Sequence, residues 1–253
     1  MSDKPSILIT NDDGIHAKGL RELIEVMRLF GDLTVIAPEV AMSGMSGAIT
    51  VDQPLRTVKL SEEPGITVYK CNGTPVDCVK LGFNHLLEKT PDYVVVGINH
   101  GSNSSISILY SGTMGAAMEG CLHGVPSMGI SLVDFNPDAD FGKAKIYTAR
   151  IFQSLLENQL PRDICLNVNI PRGIPKGIRI CRQARGKWIE EFDRRIDPQQ
   201  RPYFWLTGSF QNYEQDARDT DLFALEKNLV SIVPVKLDMT SYDALEMLKH
   251  WNF

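Results

Sequence analysis

The sequence feature that most constrains the fold is a short apolar run, YVVVGI, at residues 93–98. It is far shorter than the roughly 20 apolar residues that a membrane-spanning helix needs, and its β-branched residues favour a strand. Because its residues are apolar at consecutive positions, both faces of this strand are expected to be buried, as in a parallel sheet covered by helices. The run therefore predicts an α/β fold built around a parallel sheet.

Strands and helices alternate on both sides of this run. SILIT at Ser6–Thr10 ends abruptly at Asn-Asp-Asp-Gly, as a buried strand followed by a turn does, and apolar residues from Leu20 to Phe30 recur at helical spacing. A strand at residues 33–37 then completes a β-α-β unit, which favours parallel pairing through a right-handed crossover. Further strands are predicted at residues 50–59, 66–71, 126–132 and 164–170, and further helices at residues 74–87, 113–123 and 143–158.

The composition of the chain changes near residue 170. Up to that point the alternation predicts a doubly wound, mostly parallel sheet that forms a core at residues 1–170 and is closed by its last strand. Pro, Arg and aromatic residues dominate residues 172–205, and helical periodicity returns only at Leu222. Residues 171–253 are therefore expected to form an extended arm or hairpin, followed by a strand and a tail helix that complete the fold.

Charge and cysteine content limit the partners and the compartment. The net charge is −5 without a block of like charges, so nothing in it favours nucleic acid or a membrane surface as a partner. The five cysteines are scattered and form no C-x-x-C, which is typical of reduced thiols inside a cell. The start, MSDKPSILIT, lacks the pattern of a secretory signal. We therefore expect a soluble, cytoplasmic protein.

Three polar loops follow predicted strands, at residues 11–14, 41–47 and 99–113. In an open parallel sheet, ligands bind outside the carboxyl ends of the strands, at the point where the strand order reverses. All three loops are rich in side-chain oxygens or in glycine, whose backbone N–H groups are easily approached. Their coincidence predicts a ligand site at this edge of the sheet.

Asp12 and Asp13 are neighbouring carboxylates at the end of the first strand. Two adjacent carboxylates repel, and one should take up a proton unless a cation lies between them. Mg²⁺ or Mn²⁺ would neutralise both through oxygen ligands, and the Ser43 hydroxyl and the Asn99 amide oxygen are candidates for neutral ligands. Asn-Asp-Asp-Gly is also a good turn, the commoner role of an isolated D-D-G. The preceding strand and the other polar loops favour the metal.

Ser111, Gly112 and Thr113 open a predicted helix whose first residues are small. The N–H groups at a helix N-terminus bind phosphate well, and small residues allow the anion to approach closely. An ordinary Ser or Thr N-cap explains the same residues equally well, and this alternative stays open. The histidines form no H-x-x-x-H or H-E-x-x-H pattern, which argues against a zincin-type site.

Five segments together resemble a known family. TNDDGIHAKGL, APEVAMSGMSGAIT, GTPVDCVKLG, VVVGINHGSN and YSGTMGAAMEG resemble, in order and spacing, the SurE (survival protein E) family of 5′/3′-nucleotidases, over residues 7–132 with a fainter echo near the C-terminus. The resemblance implies a Rossmann-like, three-layer αβα fold with an extended arm and a swapped C-terminal segment. It also implies a homodimer or homotetramer, and the aromatic residues Tyr203, Phe204 and Trp205 are expected at a subunit contact.

The resemblance also implies an activity and the residues that carry it. The activity is metal-dependent hydrolysis of nucleoside 5′-monophosphates, and of 3′-monophosphates, to nucleoside and phosphate. One divalent ion per subunit is expected, Mg²⁺ or Mn²⁺, with Ca²⁺ and Zn²⁺ left open. The implied metal ligands are Asp12, Asp13, Ser43 and Asn99; the phosphate-binding residues that we predict are Asn103, Ser111, Gly112 and Thr113.

Some roles and alternatives stay open at the level of sequence. Asp12 or Asp13 is expected to act in catalysis, as a base or as a nucleophile. Met42 stands where the family commonly has Arg, and Ser105 and Ser107 where Gly and Asp are usual, which leaves the substrate range open. Other phosphate esters, polyphosphate, or nucleotide binding without hydrolysis are the alternatives. No G-x-G-x-x-G follows the first strand and no Walker lysine is present, so dinucleotide or triphosphate binding is disfavoured.

Overall fold

The computed structural model describes residues 4–252, in which strands and helices alternate over the first two thirds of the chain. The strands are β1 (Ser6–Thr10), β2 (Asp32–Pro38), β3 (Thr57–Glu63), β4 (Ile66–Cys71), β5 (Tyr93–His100), β6 (Ser127–Val133), β7 (Ile164–Pro171), β8 (Ile178–Ile180), β9 (Gly186–Ile189), β10 (Phe192–Ile196), β11 (Pro202–Leu206), β12 (Ser209–Asn212) and β13 (Val230–Lys236). The α-helices are α1 (Lys18–Met27), α2 (Pro75–Leu81), α3 (Gly112–Leu122), α4 (Gly142–Glu157), α5 (Asp221–Glu226) and α6 (Tyr242–Leu248). A π-helical turn follows α2 at Gly82–Leu86, and a 3₁₀ helix precedes α3 at Ser105–Leu109.

A nine-stranded sheet with the order β3-β4-β2-β1-β5-β6-β7-β13-β8 forms the centre of the protein. The strands from β4 to β7 are parallel to one another, whereas β3 is antiparallel to β4 and β13 is antiparallel to β7. From β1 the chain moves outward through β2 and β4, and it then returns to place β5 on the other side of β1. The strand order therefore reverses between β1 and β5, and the prediction of a doubly wound, mostly parallel sheet is confirmed.

Helices cover both faces of the sheet. On one face, Leu20 and Leu23 of α1 and Phe152 of α4 are buried in the larger apolar cluster. On the other face, Val79 of α2 and Met114 of α3 belong to a second cluster. These two cores confirm the predicted three-layer αβα arrangement, in which each strand of the central part is buried from both sides.

The predicted strand at residues 50–59 is wrong for residues 50–56. The structure begins β3 at Thr57, and the preceding residues are irregular. The backbone N–H and the hydroxyl of Thr50 both donate to the carboxylate of Asp77, at 3.1 and 2.6 Å, and Pro54 has no N–H to contribute to a ladder. A long-range side-chain acceptor thus takes the place of a neighbouring strand.

The sheet also continues past the strand that was expected to close it. Strand β13 pairs with β7 in antiparallel register, with Ile232 opposite Val168, and β8 pairs in parallel with β13. Part of the chain beyond residue 171 therefore completes the main sheet. Between these two strands, β9 pairs with β12 and β10 pairs with β11 as antiparallel ladders outside the main sheet, which form the predicted hairpin arm.

The C-terminal helix α6 buries none of its residues against the rest of this chain. Exchange of the C-terminal segment between subunits stays a prediction. Among residues 4–252, no helix combines the length and the apolar character that crossing a membrane would require.

One close backbone contact fixes the carboxyl end of β5. Gly19, in the first turn of α1, lies so close to the backbone of Ile98 that a Cβ atom at this position would be 1.9 Å from the Ile98 carbonyl oxygen. Neither partner is a flexible side chain, so a methyl group can be admitted only if the helix and the strand separate. Helix α1 can therefore pack at this distance only because residue 19 is glycine.

We predict that Gly19→Ala lowers the free energy of unfolding by about 2–3 kcal/mol, because overpacking at a rigid contact forces backbone shifts. Urea denaturation followed by circular dichroism measures this change. Gly47→Ala is the control, since no atom lies within 4 Å of the added methyl group. Equal stability of the Gly19→Ala variant and the wild type would contradict the contact.

Candidate active site

The loops after β1 and β5 meet at the carboxyl edge of the sheet, where the strand order reverses. Thr10, the last residue of β1, is opposite Val96 of β5, and β5 runs on to His100. The backbone N–H of His100 donates to the Asp13 carboxylate at 3.2 Å. The end of β5, which carries Asn99, is thereby joined to the two aspartates that follow β1.

Asp12 is the most buried carboxylate of the site, with 3% of its surface exposed. Burial raises its pKa to about 6; a hydrogen bond from the Thr113 hydroxyl counteracts this rise, and the neighbouring charge of Asp13 adds to it. The Thr113 hydroxyl lies 2.6 Å from Asp12 Oδ1. A Cβ atom at Gly112 would be 2.9 Å from the Cβ of Asp12, so glycine allows the first turn of α3 to contact this carboxylate.

Asp13 is half-buried beside Asp12. Burial raises the pKa of Asp13, while the backbone N–H and the charge of His100 lower it. The imidazole ring of His100 itself packs edge-on against Phe141, with 5.0 Å between ring centroids. None of the ion pairs among residues 4–252 includes Asp12 or Asp13. Within the described residues, the two carboxylates therefore form an acidic pair that no lysine or arginine neutralises through an ion pair.

Ser43 lies on an exposed turn that is tied to both the first strand and α3. The backbone N–H of its neighbour Met42 donates to the carbonyl of Asp12 at 2.7 Å. Farther along the same loop, the Ser46 carbonyl approaches Gly115 of α3 so closely that a Cβ there would be 2.1 Å from its oxygen. These contacts bring the loop with Ser43 to the edge of the sheet that carries Asp12.

Asn99 lies within β5, opposite Ser131 of β6, and not after the end of the strand as the sequence predicted. It is mostly buried, and its side-chain Nδ2 donates to the carbonyl of Gly101 at 3.1 Å. Because this bond uses the nitrogen of the amide, the oxygen is the atom left to face a ligand. The role of Asn99 as a neutral metal ligand stays a prediction.

Asn103 is held by a network of buried polar side chains. Its Nδ2 donates to Ser131 Oγ at 2.8 Å, its backbone N–H donates to Asn169 Oδ1 at 2.8 Å, and its carbonyl accepts from Asn167 Nδ2 at 2.8 Å. Asn169 Nδ2 in turn donates to Asn167 Oδ1 at 3.0 Å. The network fixes the loop with Asn103 to the ends of β6 and β7.

Asn167 and Asn169 of β7 and Ser131 of β6 support this loop, although no motif in the sequence marks them as functional residues. A signal was present in the strand ICLNVNIP, where two asparagines alternate with apolar residues in a strand that is otherwise apolar. Residues two apart on a strand share a face, and buried polar side chains need partners. Such a pair predicts a polar network, although it does not name the partner.

The hydroxyls at the start of α3 have local partners. Ser111 Oγ accepts the backbone N–H of Met114 at 3.0 Å, so Ser111 is the N-cap of the helix. The Thr113 hydroxyl donates to Asp12 and is fully buried. The cap interpretation of Ser111 is therefore confirmed, and the role of Ser111, Gly112 and Thr113 in binding phosphate stays a prediction.

The residues at this edge fit a hard divalent cation. Within residues 4–252, no three His, Cys, Asp or Glu side chains cluster as a metal site, so a cation here would rely on the two aspartates together with neutral oxygens. Asp12 is buried with a raised pKa, and a bound cation would offset the cost of charging it. An all-oxygen shell of this kind suits Mg²⁺ or Mn²⁺.

Comparison with known proteins identifies the family of this chain. The sequence matches the protein-family model described as "Survival protein SurE" over residues 7–190. The chain belongs to the SurE family. The match spans all the candidate site residues, from Asp12 to Thr113, together with the asparagines of β7.

Full-length relatives carry the same family name. A protein of Phocaeicola vulgatus called "5'-nucleotidase SurE" is 50% identical over 251 residues, which cover 99% of this chain and 98% of the relative. A protein of Caldanaerobacter subterraneus with the same name is 41% identical over 255 residues, with 98% of both chains covered. The crystal structure of the SurE protein from Aquifex aeolicus superimposes with a TM-score of 0.84 at 34% identity, covering 97% of this chain and 99% of that one.

We predict that Thr113→Val raises the Mn²⁺ concentration needed for half-maximal activity about tenfold, because losing a hydrogen bond to a metal-binding carboxylate typically costs 10–100-fold in metal affinity. Thr113→Ser keeps the hydroxyl and should stay near the wild type. Inhibition by inorganic phosphate separates the two roles of this residue. If phosphate inhibition weakens while the Mn²⁺ requirement is unchanged, Thr113 acts on phosphate and not through Asp12.

Proposed function

We propose that this protein is a divalent-metal-dependent 5′-nucleotidase, which hydrolyses nucleoside 5′-monophosphates, and also 3′-monophosphates, to nucleoside and phosphate. Membership of the SurE family and the names of the full-length relatives support this activity. The observation that carries the proposal is the contact between the buried Asp12 and the first turn of α3. This contact supports the proposal because it joins a carboxylate, which can bind a cation, to a helix N-terminus, a position that favours phosphate.

Asp12, Asp13, Ser43 and Asn99 are the residues that we propose to hold one Mg²⁺ or Mn²⁺ ion per subunit. When bound, such an ion polarises phosphoryl oxygens and activates water for attack on phosphorus. The Asn99 amide is oriented by its bond to Gly101, and the Asp12 carboxylate by its bond from Thr113. Preorganised ligands of this kind fix the coordination geometry before the ion arrives.

Other groups of the protein are proposed to position the substrate. The N–H groups at the start of α3, at Gly112 and Thr113, are proposed to bind the phosphate together with Ser111 and Asn103. Phosphoryl transfer depends mainly on positioning and on neutralising charge, so few protein groups need to react covalently. The aspartates are proposed to accept the proton of the attacking water.

We predict that excess EDTA and Asp12→Asn each lower phosphate release from AMP and GMP by at least about 1,000-fold, since several kcal/mol of transition-state stabilisation depend on the metal. Adding back Mn²⁺ or Mg²⁺ should restore the EDTA-treated enzyme and leave the variant inactive. Asp216→Asn, an exposed carboxamide substitution in the arm, is the matched control. Full activity of the wild type in EDTA would refute the proposal.

We further propose that the arm joins subunits into a homodimer or homotetramer. Among residues 4–252, strands β10 and β11 pair only with each other, and they expose a row of large apolar side chains to solvent. The exposed residues are Phe192, Ile196, Tyr203, Phe204, Trp205 and Leu206. Contiguous exposed apolar surface on a hairpin favours contact with another protein surface, and a second copy of this arm is self-complementary in a twofold dimer.

We predict that Trp205→Asp shifts the protein toward the monomer, because a charge placed in an apolar contact must be desolvated without a partner. Size-exclusion chromatography with light scattering measures the mass. Trp205→Phe keeps an aromatic side chain and should retain the oligomer. A monomeric wild type, or an unchanged mass for Trp205→Asp, would argue against this contact.

The proposed compartment is the cytoplasm, and the proposed partners are small nucleotides and not nucleic acids. All five cysteines are free and buried, as is typical of proteins in a reducing compartment. The acidic net charge of −5 offers no general attraction for a polyanion. The proposed metal ion and the N–H groups at the start of α3 would attract the phosphate locally.

A further inference from the structure

Asp221, the first residue of α5, has a buried carboxylate that contacts the loop between β5 and α3. Its Oδ2 accepts the backbone N–H of Ser105 at 2.7 Å, and its Oδ1 accepts those of Ala184 at 3.0 Å and Leu222 at 2.8 Å. Only 1% of Asp221 is exposed, and no ion pair among residues 4–252 includes it. Backbone N–H groups therefore take the place of a cation in satisfying this charge.

Ser105 is held in an uncommon conformation by the same segment. Its φ of +52° lies in the left-handed region, where residues other than glycine are rare unless the surroundings support them. Its N–H donates to Asp221, and its hydroxyl donates to the carbonyl of Ala184 at 2.9 Å. The backbone N–H and the hydroxyl of Ser105 are thus both bound by residues that follow β7 in the sequence.

The position of Ser105 sets the course of the loop on both sides. Two residues before it is Asn103, and the 3₁₀ helix Ser105–Leu109 that begins with it leads directly to Ser111. The carbonyls of Leu109 and Tyr110 accept hydrogen bonds from Ser46, at 2.7 and 3.1 Å. A shift of Ser105 would therefore move the residues that are proposed to hold phosphate.

We propose that Asp221 is a positioning residue, through which the C-terminal part of the chain holds the phosphate-binding loop at residues 101–111 in place. The inference rests on the proposed function, because it assigns the effect to the substrate phosphate. Asp221 forms no hydrogen bond with Asp12, Asp13 or Asn99. Its effect falls on substrate affinity and leaves metal binding unchanged.

Asp221→Asn keeps the size of the side chain and removes its negative charge and one acceptor oxygen. The asparagine oxygen can serve the two N–H groups that now share Oδ1, and its NH₂ group then faces the N–H of Ser105, where two donors oppose each other. Asp219→Asn is the matched control, because Asp219 is two residues away and forms an exposed ion pair with Arg182 at 2.8 Å. Exposed pairs of this kind contribute little to stability.

The test compares the two variants with the wild type in Mn²⁺. For Asp221→Asn we expect the KM for AMP and the inhibition constant of inorganic phosphate to rise about tenfold, because a displaced loop holds the phosphate less well. The Mn²⁺ concentration for half-maximal activity should stay within twofold. Hydrogen–deuterium exchange should speed up in peptides that cover residues 101–111. Asp219→Asn should match the wild type in every measurement.

Two results would overturn the inference. If exchange in residues 101–111 and the phosphate inhibition constant are unchanged in Asp221→Asn, Asp221 does not position the loop, although the nucleotidase activity stands. If the Mn²⁺ requirement rises together with KM, the effect is not confined to phosphate. Ser105→Ala removes the hydrogen bond from the Ser105 hydroxyl to Ala184 and should also raise the KM for AMP. This second variant keeps the inference testable if Asp221→Asn does not fold. A wild type without phosphate release would refute the nucleotidase activity. The exchange rates in residues 101–111 would still show whether Asp221 positions the loop.

Discussion

The burial of two adjacent carboxylates at the end of β1 is the constraint on which the rest of this structure depends. Asp12 is placed there with its pKa raised to about 6, and Asp13 follows it directly. Charging such a pair in a partly dry site is unfavourable unless donors and a cation surround it. The surrounding elements supply the donors: the Thr113 hydroxyl for Asp12 and the His100 N–H for Asp13.

Around the aspartates, neighbouring elements approach one another unusually closely at three glycines. Gly112 brings the first turn of α3 against Asp12, Gly115 brings the same helix against the loop with Ser43, and Gly19 brings α1 against the end of β5. At each position a methyl group would meet atoms that cannot easily move. The geometry of the site is thus set by packing between elements, and the polar side chains are fixed by it.

Distant parts of the chain hold the other half of the site. Asn167 and Asn169 of β7 hold the loop with Asn103 from the sheet, and Asp221 holds the same loop through Ser105. Segments after residue 160 therefore support a loop near residue 103. Strands β8 and β13, which precede and follow the arm in the sequence, complete the main sheet next to β7.

The sequence by itself determined the central strands, the αβα layering, the acidic pair after β1 and the helix that follows Ser111, because local periodicity and turn chemistry encode them. It did not determine the partner of Thr113, the network around Asn103, the pairing of β13 with β7 or the contact of Asp221 with Ser105. These four contacts depend on which distant segments of the chain become neighbours in the folded sheet. Only the tertiary structure decided them, since spacing along a chain carries no information about a partner a hundred residues away.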